Sequence, residues 1–160
     1  MNIVLKTNIE IESLEKNNSQ HTFLSFGINN NEYFINVKRI QEILTLGNMT
    51  IDSSHPEFIY GVICSRGKTI PVINILQLLF KKSYLKHNPE VVLISETRFG
   101  KDNLNIGIAA DHIHGLTRSG TEKKIAATDT TYHKGSHIVI SSLLGFEELK
   151  LLNAICAMTY

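Results

Sequence analysis

The stretch Gly61-Val62-Ile63-Cys64-Ser65-Arg66-Gly67-Lys68-Thr69-Ile70-Pro71-Val72-Ile73-Asn74-Ile75 reads as two short apolar strands joined by a tight turn at Arg66-Gly67. β-branched residues fill both flanks, and Gly67 supplies the backbone freedom that a hairpin turn requires. Nothing in a hairpin calls for arginine at its tip. A guanidinium held on a rigid turn suits a partner's carboxylate or backbone carbonyls. The competing reading is a solvated turn residue with no partner.

Working outward, Phe23 to Ile28 alternates Leu24, Phe26 and Ile28 with other positions, as a strand does. Asn29-Asn30-Asn31 makes the turn, because asparagine tolerates left-handed backbone angles. The returning strand, Glu32 to Val37, places Tyr33, Ile35 and Val37 on one face. Val37, Ile40 and Ile43-Leu44 then recur at a spacing that fits either a short helix or a bent strand. Ser54-His55-Pro56-Glu57 has the form of a capping box, which predicts a helical turn over Pro56–Tyr60 ended by Gly61. A second short helical turn is expected at Leu76–Phe80. Beyond the polar connector Lys81–Pro89, strands are expected at Val91–Ser95 and Ile106–Leu116, with a loop from Glu96 to Asn103. A long polar loop spans Thr117–Gly135, and Ile138–Ser142 and Leu149–Met158 are closing apolar segments. Residues 1–20 are expected to form a flexible, asparagine-containing tail.

The chain repeats itself at an offset of about half its length. Ile35-Asn36-Val37 followed by Ile40 and Ile43 has its counterpart in Ile108-Ala109-Ala110 followed by Ile113 and Leu116. Val72-Ile73-Asn74 is similarly matched to Leu151-Leu152-Asn153. Two halves of short strands with polar turns imply a mainly β fold of two small paired barrels with short helical turns. Those halves, roughly 21–85 and 86–160, are each too small to stand easily alone, so a shared hydrophobic core is expected, with an exchange of strands between the halves left open.

Composition narrows the function. The 160 residues carry 16 basic and 15 acidic side chains, with no basic patch, which argues against nucleic-acid binding. No apolar run approaches the roughly 18 residues of a membrane span, and no signal peptide is legible, so a cytoplasmic protein without membrane insertion is expected. Cys64 and Cys156 sit in apolar, strand-like runs and read as small buried hydrophobes in a reducing compartment.

Candidates for catalysis are weak. In Asp111-His112-Ile113-His114 the two histidines would share one face of a strand and could share a metal, but His133 and His137 supply no well-spaced further ligand. Cys64 beside Ser65 lacks the strand-turn-helix elbow of a nucleophile. Glu147-Glu148, on a strand, would point to opposite sides. Neither a glycine-rich dinucleotide motif nor a P-loop occurs. Nothing here calls for a cofactor, a metal or an enzymatic activity.

Taken together, these segments resemble the CheW-like domain family, the coupling proteins of bacterial chemotaxis. Glu32-Tyr33-Phe34-Ile35-Asn36-Val37-Lys38-Arg39-Ile40-Gln41-Glu42-Ile43 is similar to that family's Tyr-Gly-Ile-Asp-(apolar)-x-x-(apolar)-x-Glu-Ile pattern. Gly61-Val62, Arg66-Gly67 and Ile70-Pro71-Val72-Ile73-Asn74 resemble its Gly-(apolar)-x-x-x-Arg-Gly-x-x-(apolar)-Pro-(apolar)-(apolar)-Asp. Gly107 to Leu116 resembles its Gly-x-x-Val-Asp-x-Val-x-x-Val. The resemblance implies two five-stranded SH3-like barrels and a non-enzymatic adaptor. Such an adaptor bridges the cytoplasmic tips of chemoreceptors to the regulatory domain of the histidine kinase CheA, with other CheW-like proteins as further partners. It also implies that Arg66 and Gly67 form a partner-binding turn. Ile40 and Glu42 would lie near a partner groove, and Ile113 and Leu116 would line a receptor-facing groove between the barrels. This chain departs from the pattern at Phe34 and His112, which replace glycines, and at Asn36 and Asn74, which replace aspartates. The family's signal around Ile140–Ser142 is lost. Two other readings remain open: an adaptor of a different array, such as one controlling pili or surface motility, and a small-molecule-binding module using the inter-barrel groove with His112 and His114 as polar contacts.

Overall fold

The computed structural model of the chain describes residues 22–46, 56–80, 89–118, 124–125 and 136–158. The expected tail at 1–20, Ser54 of the expected capping box, and most of the 119–135 loop lie outside the described residues. Strands β1 (Thr22–Ile28) and β2 (Asn31–Asn36) form an antiparallel hairpin. Its turn residues Asn29 and Asn30 have φ of 53° and 67°, the left-handed pair that asparagine tolerates. A single 3-10 turn, Val37–Arg39, comes next, and the Asn36 side chain caps it by accepting from the Lys38 N–H at 2.9 Å. It leads into β3 (Ile40–Thr45), so the ambiguous run around Ile43 is strand. Strands β4 (Ile59–Ser65) and β5 (Lys68–Ile73) form the hairpin around Arg66-Gly67, and α1 (Ile75–Phe80) succeeds them. After β6 (Val91–Phe99), β7 (Asp102–Ala110) and β8 (His112–Arg118) come two short strands, β9 (Lys124–Ile125) and β10 (Ser136–Ile138). Two helices close the described chain, α2 (Ile140–Leu143) and α3 (Phe146–Cys156).

The strands make two five-stranded sheets, ordered β8-β1-β2-β10-β9 and β3-β6-β7-β5-β4. Neither sheet is built from one half of the chain. The first half gives two strands to the first sheet and three to the second, and the second half does the reverse. Replacing β1 to β5 by β6 to β10 converts one strand order into the other. The repeat seen at Ile35–Ile43 and Ile108–Leu116 falls at the two places where the chain crosses between sheets, from β2 to β3 and from β7 to β8. Asp111 sits at the second crossing. Its backbone N–H donates to the Gly27 carbonyl at 2.8 Å, and its carboxylate accepts from the Asn29 N–H at 2.7 Å.

The main core takes side chains from both sheets, including Leu24, Phe26, Tyr33 and Ile35 from the first and Ile43, Ile73, Leu93, Ile106 and Ile108 from the second. Helices α1, α2 and α3 add Leu76, Leu79, Leu143, Leu152 and Ile155. A second cluster of Ile63, Ile70, Val72, Val92, Ile94 and Ala109 lies on the other face of the second sheet. Both faces of that sheet are thus apolar, which is why Val91 to Ile94 reads as a continuous apolar run rather than an alternation.

Several expectations are corrected. The segment Pro56–Tyr60 holds only one tight turn, with the Ile59 N–H donating to the Pro56 carbonyl at 2.9 Å, before β4 begins at Ile59. Pairing with β7 continues β6 to Phe99, so the expected loop from Glu96 to Asn103 shrinks to the turn Gly100-Lys101. Leu149–Met158, a closing apolar segment in the sequence, falls mostly in α3, which is rich in Leu and Glu, good helix formers. The Glu148 carboxylate accepts from the Gly145 N–H at 2.8 Å, and Glu147 and Glu148 lie in the first turn, where the helix dipole favours negative charge. Leu151-Leu152-Asn153 is therefore no counterpart of Val72-Ile73-Asn74. In strand order β5 corresponds to β10, so Ile73 answers Ile138 and α1 answers α2. Asn74 does cap α1, accepting from the N–H groups of Leu76 and Gln77 at 3.1 and 3.3 Å. Cys64 is exposed rather than buried, and Cys156 is half-buried on a helix rather than a strand.

Candidate interaction surface

The β4–β5 turn has left-handed backbone at both central residues, Arg66 at φ 54° and Gly67 at φ 75°. This is the shape that lets two strands continue with their natural twist. Glycine takes it without cost, and the Asn29-Asn30 turn shows the chain using asparagine for the same purpose. Arginine has no local hydrogen bond to offset the crowding of its Cβ, a cost of roughly 1–2 kcal/mol. A residue held in a disfavoured conformation is the kind of outlier from which a functional hypothesis starts.

The Arg66 Nη2 lies 3.4 Å from Glu42 Oε2, with the arginine side chain 82% exposed and the glutamate 16% exposed. Glu42 is on β3 and Arg66 is at the end of β4, the two end strands of the second sheet. The ion pair therefore spans the curl that brings the sheet's edges together. It also aims the guanidinium while leaving most of its donors facing solvent. Glu42 and Leu44 share a face of β3, so the pair stands beside the second core cluster, whose half-buried border is Leu44, Leu46 and Tyr60. Burial, and secondarily the Asp111 carboxylate, pushes the Tyr60 phenol above its usual range and keeps it neutral. The hairpin is anchored from behind: Thr69 Oγ1 donates to the Met158 carbonyl just past α3, at 2.8 Å. A charged tip, an acidic partner that orients it and an apolar border on a fixed hairpin form a surface suited to docking rather than to bond chemistry.

Of the six residues singled out in the sequence, the structure brings Arg66, Gly67 and Glu42 together. Ile40 opens β3 but is only 6% exposed and belongs to the main core, so any part it plays at a surface is through the strand it anchors. Ile113 and Leu116 lie apart, on β8 opposite Phe26 and Leu24, half-buried against the main core. A groove of about 890 Å³ opens between the sheets, lined among others by Phe23, Arg39, Ser95, Arg98, His137 and Ile140. Ile113 and Leu116 are not among its lining residues. Neither are His112 and His114, which border a separate pocket of about 330 Å³. Leu44 and Tyr60 were missed as surface residues. The signal for Leu44 was its adjacency to Ile43, because two neighbouring apolar residues in a strand must face opposite ways.

Comparison with known proteins agrees with this fold. A family model described as the CheW-like domain matches residues 22–144. The chemotaxis protein CheW of Klebsiella aerogenes is 33% identical over 72 residues, which cover 45% of this chain and 43% of that protein. The aligned stretch is thus under half the length of that curated relative. Among solved structures, the scaffolding protein TtCheW of Thermoanaerobacter tengcongensis superposes with a TM-score of 0.63 at 21% identity, covering 81% of this chain and 92% of that one. At that identity the likeness speaks for the fold, two sheets of SH3-like type. With a family match running from β1 into the segment after α2, and a solved relative of the same two-sheet architecture, this chain belongs to the CheW-like domain family.

Proposed function

We propose that the protein is a non-enzymatic chemosensory adaptor that couples receptor tips to the regulatory domain of a CheA-type histidine kinase. The observation that carries this reading is Arg66, kept at φ 54° in a turn where the chain elsewhere uses asparagine, and directed by Glu42. Conformational cost at an exposed position is explained by a bond made to another molecule. Membership of the CheW-like family supports the class of function, and the relative's name supplies the chemotaxis setting. Among the described residues, no helix is long and apolar enough to cross a membrane.

In this reading Arg66 gives charge-assisted hydrogen bonds to the partner's acidic or carbonyl groups. Leu44 and Tyr60 supply apolar area beside it, and Gly67 lets the tip approach closely. Ile113 and Leu116 remain proposed as contributors to a receptor-facing surface. They would act from β8, separately from the Arg66 hairpin. The test is a binding assay with two purified partners, a CheA regulatory domain and a receptor cytoplasmic tip. Wild-type protein should capture both. Arg66→Ala should lose one of them with its thermal midpoint retained. Retention of both partners by Arg66→Ala, or capture of neither by the wild type, refutes the proposal.

A further inference from the structure

We propose that His112 and His114 form a two-imidazole site for a divalent transition-metal ion of the Cu²⁺, Ni²⁺ and Zn²⁺ class, a property beyond the adaptor reading. The two residues stand two apart on β8, and their side chains leave the same face of the strand with ring centroids 4.5 Å apart. Both rings meet over Gly27 of the neighbouring β1. A Cβ placed on Gly27 would lie 2.8 Å from the Nε2 of His112 and 3.1 Å from the Nε2 of His114. The absence of a side chain at Gly27 is what lets the two nitrogens come together, and the space beside them is a pocket of about 330 Å³ bordered also by Asn30, Asn31 and Glu32.

The opposite nitrogen of His114 is held in place. Its Nδ1 lies 3.1 Å from Glu32 Oε2 and 3.3 Å from Ser25 Oγ, and the Ser25 hydroxyl donates to that same carboxylate oxygen at 2.6 Å. An ionised carboxylate only accepts, so Nδ1 carries the proton and, in the neutral ring, the lone pair lies on Nε2. A carboxylate gripping one nitrogen so that the other can ligate is the arrangement that orients metal-bound histidines. Neutral imidazoles favour Cu²⁺, Ni²⁺ and Zn²⁺ over Mg²⁺ and Ca²⁺, which prefer oxygen ligands. Among the described residues no group of three or more His, Cys, Asp and Glu side chains is placed to hold an ion. With two imidazoles as its ligands among the described residues, the site leaves coordination positions open to water.

The experiment titrates Cu²⁺ into the full chain, with calorimetry for affinity and electron paramagnetic resonance for the number of nitrogen ligands. One tight ion with two coupled nitrogens is expected. His112→Asn should abolish the two-nitrogen signature, and Glu32→Gln should weaken binding about 10–100-fold through loss of orientation. His137→Asn, in the groove between the sheets, should change neither. His112 and His114 are exposed, and a metal-free melting curve for each variant separates loss of the site from loss of the fold. If the His112→Asn/His114→Asn double variant melts normally and binds Cu²⁺ with unchanged affinity and spectrum, the ion sits elsewhere and the proposal fails. It fails equally if Mg²⁺ competes with Cu²⁺ at matched concentration.

Discussion

Replacing Arg66 by asparagine separates what the residue does for the fold from what it does for a partner. The substitution keeps a turn-compatible residue and removes the guanidinium. On the stability side, relief of the left-handed arginine at φ 54° returns about 1 kcal/mol. Loss of the Arg66–Glu42 pair costs at most about 1 kcal/mol, since the arginine side chain is 82% exposed and solvent screens the interaction. The net change is therefore about zero to 1 kcal/mol in favour of the variant. For a chain of this length that is a melting temperature unchanged or raised by about 2–4 °C in calorimetry. On the binding side, removal of charge-assisted hydrogen bonds should cost about 1–3 kcal/mol, a loss of about 5- to 150-fold in affinity for the kinase domain. Glu42→Gln provides the companion measurement: it frees the guanidinium's direction without removing it, so its binding loss should be the smaller. Opposite signs for stability and affinity are the signature sought. If Arg66→Asn instead lowers the melting temperature by several degrees and leaves affinity intact, the arginine is structural and the docking argument is wrong.

Three further outcomes test the fold. Gly107→Ala would place a Cβ 2.6 Å from Val92 Cγ1 and 3.1 Å from Val72 Cγ2 inside the second core, so urea denaturation should show a loss of about 1–3 kcal/mol. Asn74→Ala removes the acceptor for two N–H groups at the start of α1 and should cost about 1 kcal/mol by the same method, with Asn74→Asp recovering most of it. The two thiols should label at very different rates. Exposed Cys64 reacts first, while Cys156, whose pKa burial raises, stays protonated and slow near neutral pH and quickens only as pH rises through its elevated pKa. Equal rates would contradict the placement of Cys156 against the core.

The boundary between features legible in the sequence and features hidden from it is a physical one. Alternation at Leu24, Phe26 and Ile28 and at Tyr33 and Ile35 was legible because one face of each strand meets the core. The turns at Asn29-Asn30 and Arg66-Gly67 were legible from turn chemistry. The extension of β6 to Phe99 was not, because Glu96 to Phe99 is polar in character and is strand only through its ladder with β7. Helix α3 was hidden by its length of hydrophobic residues, Leu149, Leu151, Leu152 and Ile155, which as a short apolar run fit strand and helix alike. At the surface, the Arg66 tip was legible, but its contact with Glu42 was not. That contact depends on the sheet curling until strands far apart in its order come within 3.4 Å, a tertiary fact with no local trace. Ile40, close to Glu42 in sequence, is buried in the main core, and its burial follows from packing between the sheets rather than from the motif around it.

The interleaving of the two halves also sets the order in which the protein can be completed as it leaves the ribosome. By the time α1 emerges, the chain can hold only two hairpins, β1–β2 and β4–β5, while β3 has no neighbour until β6 is made. The second sheet is complete once Ala110 has appeared, yet the first sheet must wait for β10 at Ser136–Ile138. The strands made first thus belong to the sheet finished last, and Leu24, Phe26 and Ile28 stay without their full covering through most of synthesis. A newborn chain of this design depends on rapid delivery of its own second half, and a stall between residues 80 and 136 would leave its first hairpin open to strangers.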